Sequence, residues 1–323
     1  MHSSLFICYT PLHAIIARRI IEEEKITNYS VLFFCATDNK KHRYYYDVIS
    51  RGSIYSRFEV IKRSPIKDFL FLRNFVKYIQ GIGYNCTTTI YTGNIKIIYS
   101  RLVLYLMKAT KYITFDDGSG NISGDGYFYT NDNILKSLTF RLAAPYLQYS
   151  TLRNSMLKHY SIFKLPNVYS NAHYIAMFKP KLDSRDKDAL RVLLTSPFSE
   201  DGEMSKNCEN NLYRKILEKY RIDQILPHPR EKRKKITNIK TEYIDTKLIA
   251  EDYLNNLSKQ YAITAFGLYS TALLTLNECN DIKVVNIDAQ LRKPTDWLKR
   301  TFLQLGIPTE SASLSPNPHE TNN

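Results

Sequence analysis

Cysteine is scarce in this chain and poorly arranged for cross-linking. The 323 residues hold five, Cys8, Cys35, Cys86, Cys208 and Cys279, an odd number at wide spacings. Small secreted domains stapled by disulfides carry dense, even cysteine. Buried free thiols in a reducing compartment are therefore expected. No Cys/His set has the spacing of a metal site, so no metal is expected. Long hydrophobic runs are also missing. The apolar stretch 95–107 is interrupted by Lys96 and Arg101, which rules it out as a bilayer span. The start, Met1-His2-Ser3-Ser4, enters an apolar strand at once, without the basic and long apolar regions of a signal peptide. The expected location is the cytoplasm. Repeats and low-complexity segments are absent. So are an RRM signature and a clear helix-turn-helix, which leaves no nucleic-acid motif. Acidic residues are in deficit, 31 Asp and Glu against 45 Lys and Arg, a net charge of +14. Such a balance gives either a basic solvated surface or an anionic partner, lipid headgroups or an acidic glycan ahead of nucleic acid.

What is present is a chain long enough for two domains, with strands and helices in alternation. An apolar run at 5–9 and segments at 31–35, 58–61, 88–91 and 112–115 read as strands. Thr10 and Pro11 form a helix start, N-cap followed by Pro at the first helical position. Apolar periodicity predicts helices over 68–80 and 94–109. The stretch 131–180 is less regular and is read as helices plus the crossing between domains. A second series follows: strands at 191–194, 224–226, 262–264 and 282–287, and helices over 207–221, 250–260 and 268–276. This alternation predicts a parallel α/β sheet in each half. The domains are expected at 1–180 and 181–310, with a flexible tail at 311–323.

Three motifs fall where strands run out into turns: Phe115-Asp116-Asp117-Gly118-Ser119-Gly120-Asn121, then Pro227-His228-Pro229-Arg230, then Phe266-Gly267-Leu268-Tyr269-Ser270-Thr271-Ala272. In parallel sheets ligands bind at such carboxyl ends. Asp116 and Asp117 read either as a strand-end turn or as a pair of metal-binding carboxylates. His228, stiffened by Pro on both sides, is either structural or an imidazolium for a phosphate oxygen. Ser270 and Thr271 at a helix start read as an N-cap or as an anion site. A fourth segment, Ser196-Pro197-Phe198-Ser199-Glu200-Asp201-Gly202, has the acidic residues favoured at a helix N-terminus. The basic run 230–235 reads as a solvated loop or as the rim of a phosphate or carboxylate site.

Carboxylate, imidazole and hydroxyls in this order resemble the bacterial lipooligosaccharide sialyltransferases of glycosyltransferase family 52. The resemblance extends to Phe6-Ile7-Cys8-Tyr9-Thr10, to His159-Tyr160-Ser161-Ile162-Phe163-Lys164 and to Trp297-Leu298-Lys299. It implies a GT-B fold, two Rossmann-like domains facing each other across a deep cleft. It also implies an inverting, metal-independent transfer of sialic acid from CMP-sialic acid to a terminal galactoside of lipooligosaccharide, in α-2,3 linkage, with no cofactor. By the resemblance, His228 stabilises the leaving CMP phosphate. Ser196, Pro229, Ser270 and Thr271 bind the CMP donor, Glu251 takes the ribose hydroxyls, and Asp117 and Gly118 lie on the acceptor side. The general base is Asp201 by the family pattern, with Glu200 as its neighbour in the turn, or Asp116 by its place in the first domain. A homodimer and a peripheral position at the anionic inner face of the cytoplasmic membrane are further expectations. Two rivals remain: glucosyl transfer by a family 52 enzyme, and a non-enzymatic protein that binds anionic glycan.

Overall fold

In the computed structural model the chain packs as two compact units, Met1–Met177 and Phe178–Asn323. The residues described are 3–61, 64–122, 124, 127–133, 137, 144–178, 187–229, 231, 236, 241–279, 282–289 and 296–311. The expected domain boundary at 180/181, most of the basic run and all but the first residue of the expected tail lie outside them.

The first unit is built on a seven-stranded parallel sheet. Its elements are β1 (Ser4–Cys8), α1 (Pro11–Glu23), β2 (Tyr29–Cys35), α2 (Lys40–Ser50), β3 (Tyr55–Val60), α3 (Pro65–Gly81), β4 (Thr89–Thr92), α4 (Ile98–Met107), β5 (Tyr112–Phe115), α5 (Tyr149–Ser155), β6 (Lys158–Ser161) and β7 (Ala172–Tyr174). The strand order is β3-β2-β1-β4-β5-β6-β7. Ser4 stands beside Tyr29 on one side and Thr89 on the other. The order therefore reverses at β1/β4, which is a topological switch point. β1 and β2 are buried throughout, as strands covered on both faces must be, and that is why they read as continuous apolar runs. Leu5, Ile7, Leu32, Phe34, Leu72, Phe75, Ile79, Ile90, Val103 and Leu104 belong to the core on one face.

The second unit repeats the scheme with six parallel strands. It comprises β8 (Asp188–Leu194), α6 (Lys206–Tyr220), β9 (Gln224–Leu226), β10 (Glu242–Tyr243), α7 (Ala250–Leu257), β11 (Tyr261–Gly267), α8 (Thr271–Leu276), β12 (Ile282–Asp288), α9 (Asp296–Gln304) and β13 (Thr309–Ser311). The order β10-β9-β8-β11-β12-β13 reverses at β8/β11.

Several expectations are corrected. The helix expected from residue 94 begins at Ile98; before it Asn94 holds a turn, its Oδ1 accepting from the Lys96 N–H at 2.9 Å. The helix α2 was not foreseen. Its sequence, KKHRYYYDVIS, buries only Tyr45 and Ile49, too little for an apolar stripe. Among the thiols, Cys8, Cys35 and Cys279 are buried while Cys86 and Cys208 are exposed. Among the described residues no helix is long and apolar enough to cross a membrane.

Candidate active site

In the first unit β1, β4 and β5 each deliver one polar group to the carboxyl edge of the sheet. Thr10 caps α1, its hydroxyl accepting from the His13 N–H at 3.2 Å. That cap fixes His13 in the first turn of the helix, fully buried. The Tyr9 N–H donates to His13 Nδ1 at 3.2 Å. The ring proton is thereby assigned to Nε2, which lies 2.7 Å from Asp117 Oδ1. After β4, the Asn94 amide donates to Asp117 Oδ2 at 2.7 Å. Between them Gly93 lies flat against the imidazole; a Cβ there would fall 2.4 Å from His13 Cε1. Asp117 follows β5. Its N–H donates to the Asn121 side chain at 3.1 Å, and Gly118 takes the left-handed conformation, φ +65°, where a side chain would be strained. Burial works to raise the Asp117 pKa. The His13 ring and the Asn94 amide outweigh it and hold the carboxyl below its ordinary range.

The two adjacent carboxylates have separate fates. Asp117 keeps 29% of its side chain exposed. Asp116 keeps none. Its Oδ1 accepts from His159 Nε2 at 2.8 Å and from Asn167 at 3.3 Å. Its Oδ2 accepts from the Ser161 hydroxyl at 2.8 Å and the Ile162 N–H at 2.7 Å. His159 is held in turn by Thr114 at 2.7 Å. Asp116 therefore stitches β5 to β6 and the turn beyond it. The expectation that it takes a proton from an acceptor meets a closed carboxylate with four donors. The alternation of side chains along an extended chain explains the split: one residue faces the sheet interior and the next faces out.

In the second unit the candidate residues occupy four strand ends that are consecutive in the sheet. Ser196 follows β8, His228 and Pro229 follow β9, Glu251 opens the helix after β10, and Ser270 and Thr271 follow β11. The Ser196 turn is braced from inside. Its N–H donates to the Tyr213 hydroxyl at 2.8 Å, and the Ser199 N–H and hydroxyl both donate to buried Glu209, at 3.2 and 2.7 Å. Asp201 closes the turn through its N–H to the Pro197 carbonyl at 2.9 Å, with an exposed side chain. Glu200 beside it is half-buried.

His228 is half-buried and Pro229 exposed. Glu231 holds their turn. Its Oε1 accepts from the His228 N–H at 3.2 Å and from the Thr195 hydroxyl at 2.6 Å, while its own N–H donates to the His228 carbonyl at 2.9 Å. One carboxylate thus ties the end of β8 to the turn after β9. Sequence reasoning counted Glu231 only as part of a charged run; the signal was its place three residues after His228, the reciprocal spacing of a capping box. His13 and Asn94 were also missed. Glu251 is 8% exposed at the second position of α7. Ser270 is the N-cap residue of α8, without a side-chain cap hydrogen bond. The turn before it is held by Tyr269, φ +49°, whose N–H donates to buried Asn286 at 2.7 Å. Gly267 has Leu273 and the Ser270 Cβ 3.3 Å from where its own Cβ would be, so the short helix packs closely on β11.

The family model described as Glycosyltransferase family 52 matches residues 27–291. A Pasteurella multocida protein, "CMP-N-acetylneuraminate:beta-galactoside alpha-2,3-sialyltransferase", is 26% identical over 315 residues, 94% of this chain and 97% of that one. A Neisseria meningitidis protein, "N-acetyllactosaminide alpha-2,3-sialyltransferase", is 25% identical over 94% of this chain and 84% of its own. Among solved structures, the Methanocaldococcus jannaschii UDP-GlcNAc 2-epimerase aligns over 96% of this chain and 89% of its own with a TM-score of 0.54 at 10% identity. That last likeness is one of fold, two Rossmann-like α/β units of the GT-B class.

Proposed function

Because the chain belongs to glycosyltransferase family 52, we propose that it transfers sialic acid from CMP-sialic acid to a terminal galactoside of lipooligosaccharide, in α-2,3 linkage. The observation that carries this reading is the run of four consecutive strand ends in the second unit, bearing Ser196, His228, Glu251 and Ser270-Thr271. Parallel sheets bind ligands there, and this set suits a nucleotide with one phosphate. Hydroxyls and imidazole donate to the phosphate, and a carboxylate accepts from both ribose hydroxyls. The names of the Pasteurella and Neisseria relatives support the donor and the linkage.

The step is one displacement. The acceptor oxygen forms its bond to sialic acid C2 as the C2–O bond to CMP breaks, and the anomeric centre inverts. The bonding electrons leave with the CMP phosphate, where His228 donates a hydrogen bond or a proton. The acceptor proton passes to Asp201, the exposed carboxylate of the Ser-Pro turn. The transition state is oxocarbenium-like, as in other glycosyl chemistry. No metal is needed, since the leaving group carries a single phosphate. The net charge of +14 suits a peripheral position at an anionic membrane that carries the acceptor.

The test is a donor panel with lactose as acceptor, in EDTA. Transfer from CMP-sialic acid alone, at a rate that added magnesium leaves unchanged, is the expected result. Transfer from a UDP-sugar, or strict dependence on a divalent ion, would replace the reading with another family 52 activity.

A further inference from the structure

The polar cluster of the first unit is built around a residue that the motifs did not single out. We propose that His13 is a positioning residue which, with Asn94, presents Asp117 as the hydrogen-bond acceptor for the hydroxyls of the incoming acceptor sugar. The proposal deepens the sialyl-transfer reading and rests on it for the identity of the sugar.

Three observations carry it. The cluster stands at the β1/β4 switch point, where parallel sheets receive ligands, and it joins the ends of β1, β4 and β5. It is built with little freedom. His13 is fully buried, its Nδ1 is taken by the Tyr9 N–H, its Nε2 points at Asp117, and Phe115 packs edge-on at 5.5 Å. Gly93 gives up its side chain to admit the ring. Finally, the cluster leaves capacity at its one outward group. Among the described residues each Asp117 oxygen takes one donor, His13 on Oδ1 and Asn94 on Oδ2, whereas a carboxylate offers about four lone-pair sites. What remains is acceptor-only. It fits a pair of sugar hydroxyls and repels phosphate, so the cluster belongs with the neutral end of the acceptor and not with the donor.

Lactose is the probe. Its binding would be followed by saturation-transfer NMR titration without donor, and its KM and kcat with CMP-sialic acid, in the wild type and in Asp117→Asn, His13→Phe and His13→Gln. The Asn amide would turn a donor toward a donor, His13 or Asn94. Asp117→Asn and His13→Phe should weaken lactose roughly tenfold or more in both assays, the usual loss for a hydrogen bond to a charged group. CMP affinity by calorimetry should stay within about twofold. His13→Gln, whose amide N–H stands in for Nε2–H, should recover most of the lactose affinity. Unchanged lactose affinity in Asp117→Asn overturns the proposal. So does an equal loss in His13→Gln and His13→Phe, or a parallel loss of CMP affinity, since each marks a merely structural part. Should His13→Phe not fold, the near-isosteric Asp117→Asn decides. A wild type that binds lactose but moves no sialic acid refutes the reading of function and leaves the His13 result standing; one that does not bind lactose overturns the proposal.

Discussion

In the first unit the imidazole of His13 is buried and the carboxylate of Asp117 faces out; in the second, the imidazole of His228 is half-exposed and the carboxylate of Glu231 braces its turn from behind. Both pairs stand at carboxyl ends of parallel strands, and the roles are exchanged. An outward carboxylate accepts hydrogen bonds, which suits hydroxyls. An outward imidazole donates, which suits phosphate. Under the proposed function one sheet design would serve two ligands of opposite demand, with the choice lying in which partner is turned inward.

The strongest way to break that contrast is to remove the outward groups of the second unit. His228→Ala should cut kcat roughly 100-fold or more, the usual range for a general acid, with folding little changed. Asp201→Asn should do the same while still binding CMP, and its residual rate should no longer follow the ionisation of a base. Steady-state kinetics over pH check both. Near-normal turnover in either variant removes that residue from the chemistry.

The second measurement sharpens the division between Asp116 and Asp117. Asp116→Asn replaces one acceptor oxygen by an amide N–H, which either leaves the Ile162 N–H facing a donor or requires His159 to give up its Nε2 proton. The expected loss is stability, on the order of 2–3 kcal/mol, read by denaturant unfolding, with KM for lactose near wild type in whatever protein remains folded. A stable variant with a collapsed kcat would return Asp116 to the chemistry.

These readings mark how far residues alone could go. The strands β1, β2, β5, β9 and β12 were legible because each contains consecutive apolar residues. The edge strand β7, exposed along its length, and β6, whose sequence is KHYS, carry no such pattern; β6 is held by Asp116 instead of by a run of aliphatics. The positions of His228, Ser196 and Ser270 at strand ends were legible for the same reason as the strands before them. What stayed hidden was partnership. His13 looks like one more residue of an amphipathic helix until β5 brings Asp117 to it across 104 positions. The order of Asp116 and Asp117 was visible, but which of them faces out depends on where β6 lies. Glu231 reads as one charge in a row of charges until β8 brings Thr195 to it.

The smallest effect expected concerns acid. The Asp117 carboxyl is held below its ordinary range, with burial opposing and the His13 ring and Asn94 amide prevailing. A group depressed in the folded state contributes stability above its unfolded value and loses it as pH falls through the folded one. Melting temperature against pH should therefore run higher in the wild type than in Asp117→Asn near neutrality, and the two curves should converge in acid. Parallel curves throughout would mean that the carboxylate gains nothing from its partners.

Gly93 carries the last consequence. It makes no hydrogen bond through a side chain and takes no part in any step, yet a Cβ at its position would fall 2.4 Å from an imidazole that is hydrogen-bonded at both nitrogens. Every amino acid other than glycine adds at least one carbon at that point. In a saturation scan of the chain, the harshest column near this site would thus belong to a residue with nothing to offer a substrate, and conservative and radical exchanges there would fail alike. Intolerance of that kind would report the space a neighbour occupies, and a reader ranking positions by chemical character would pass it over.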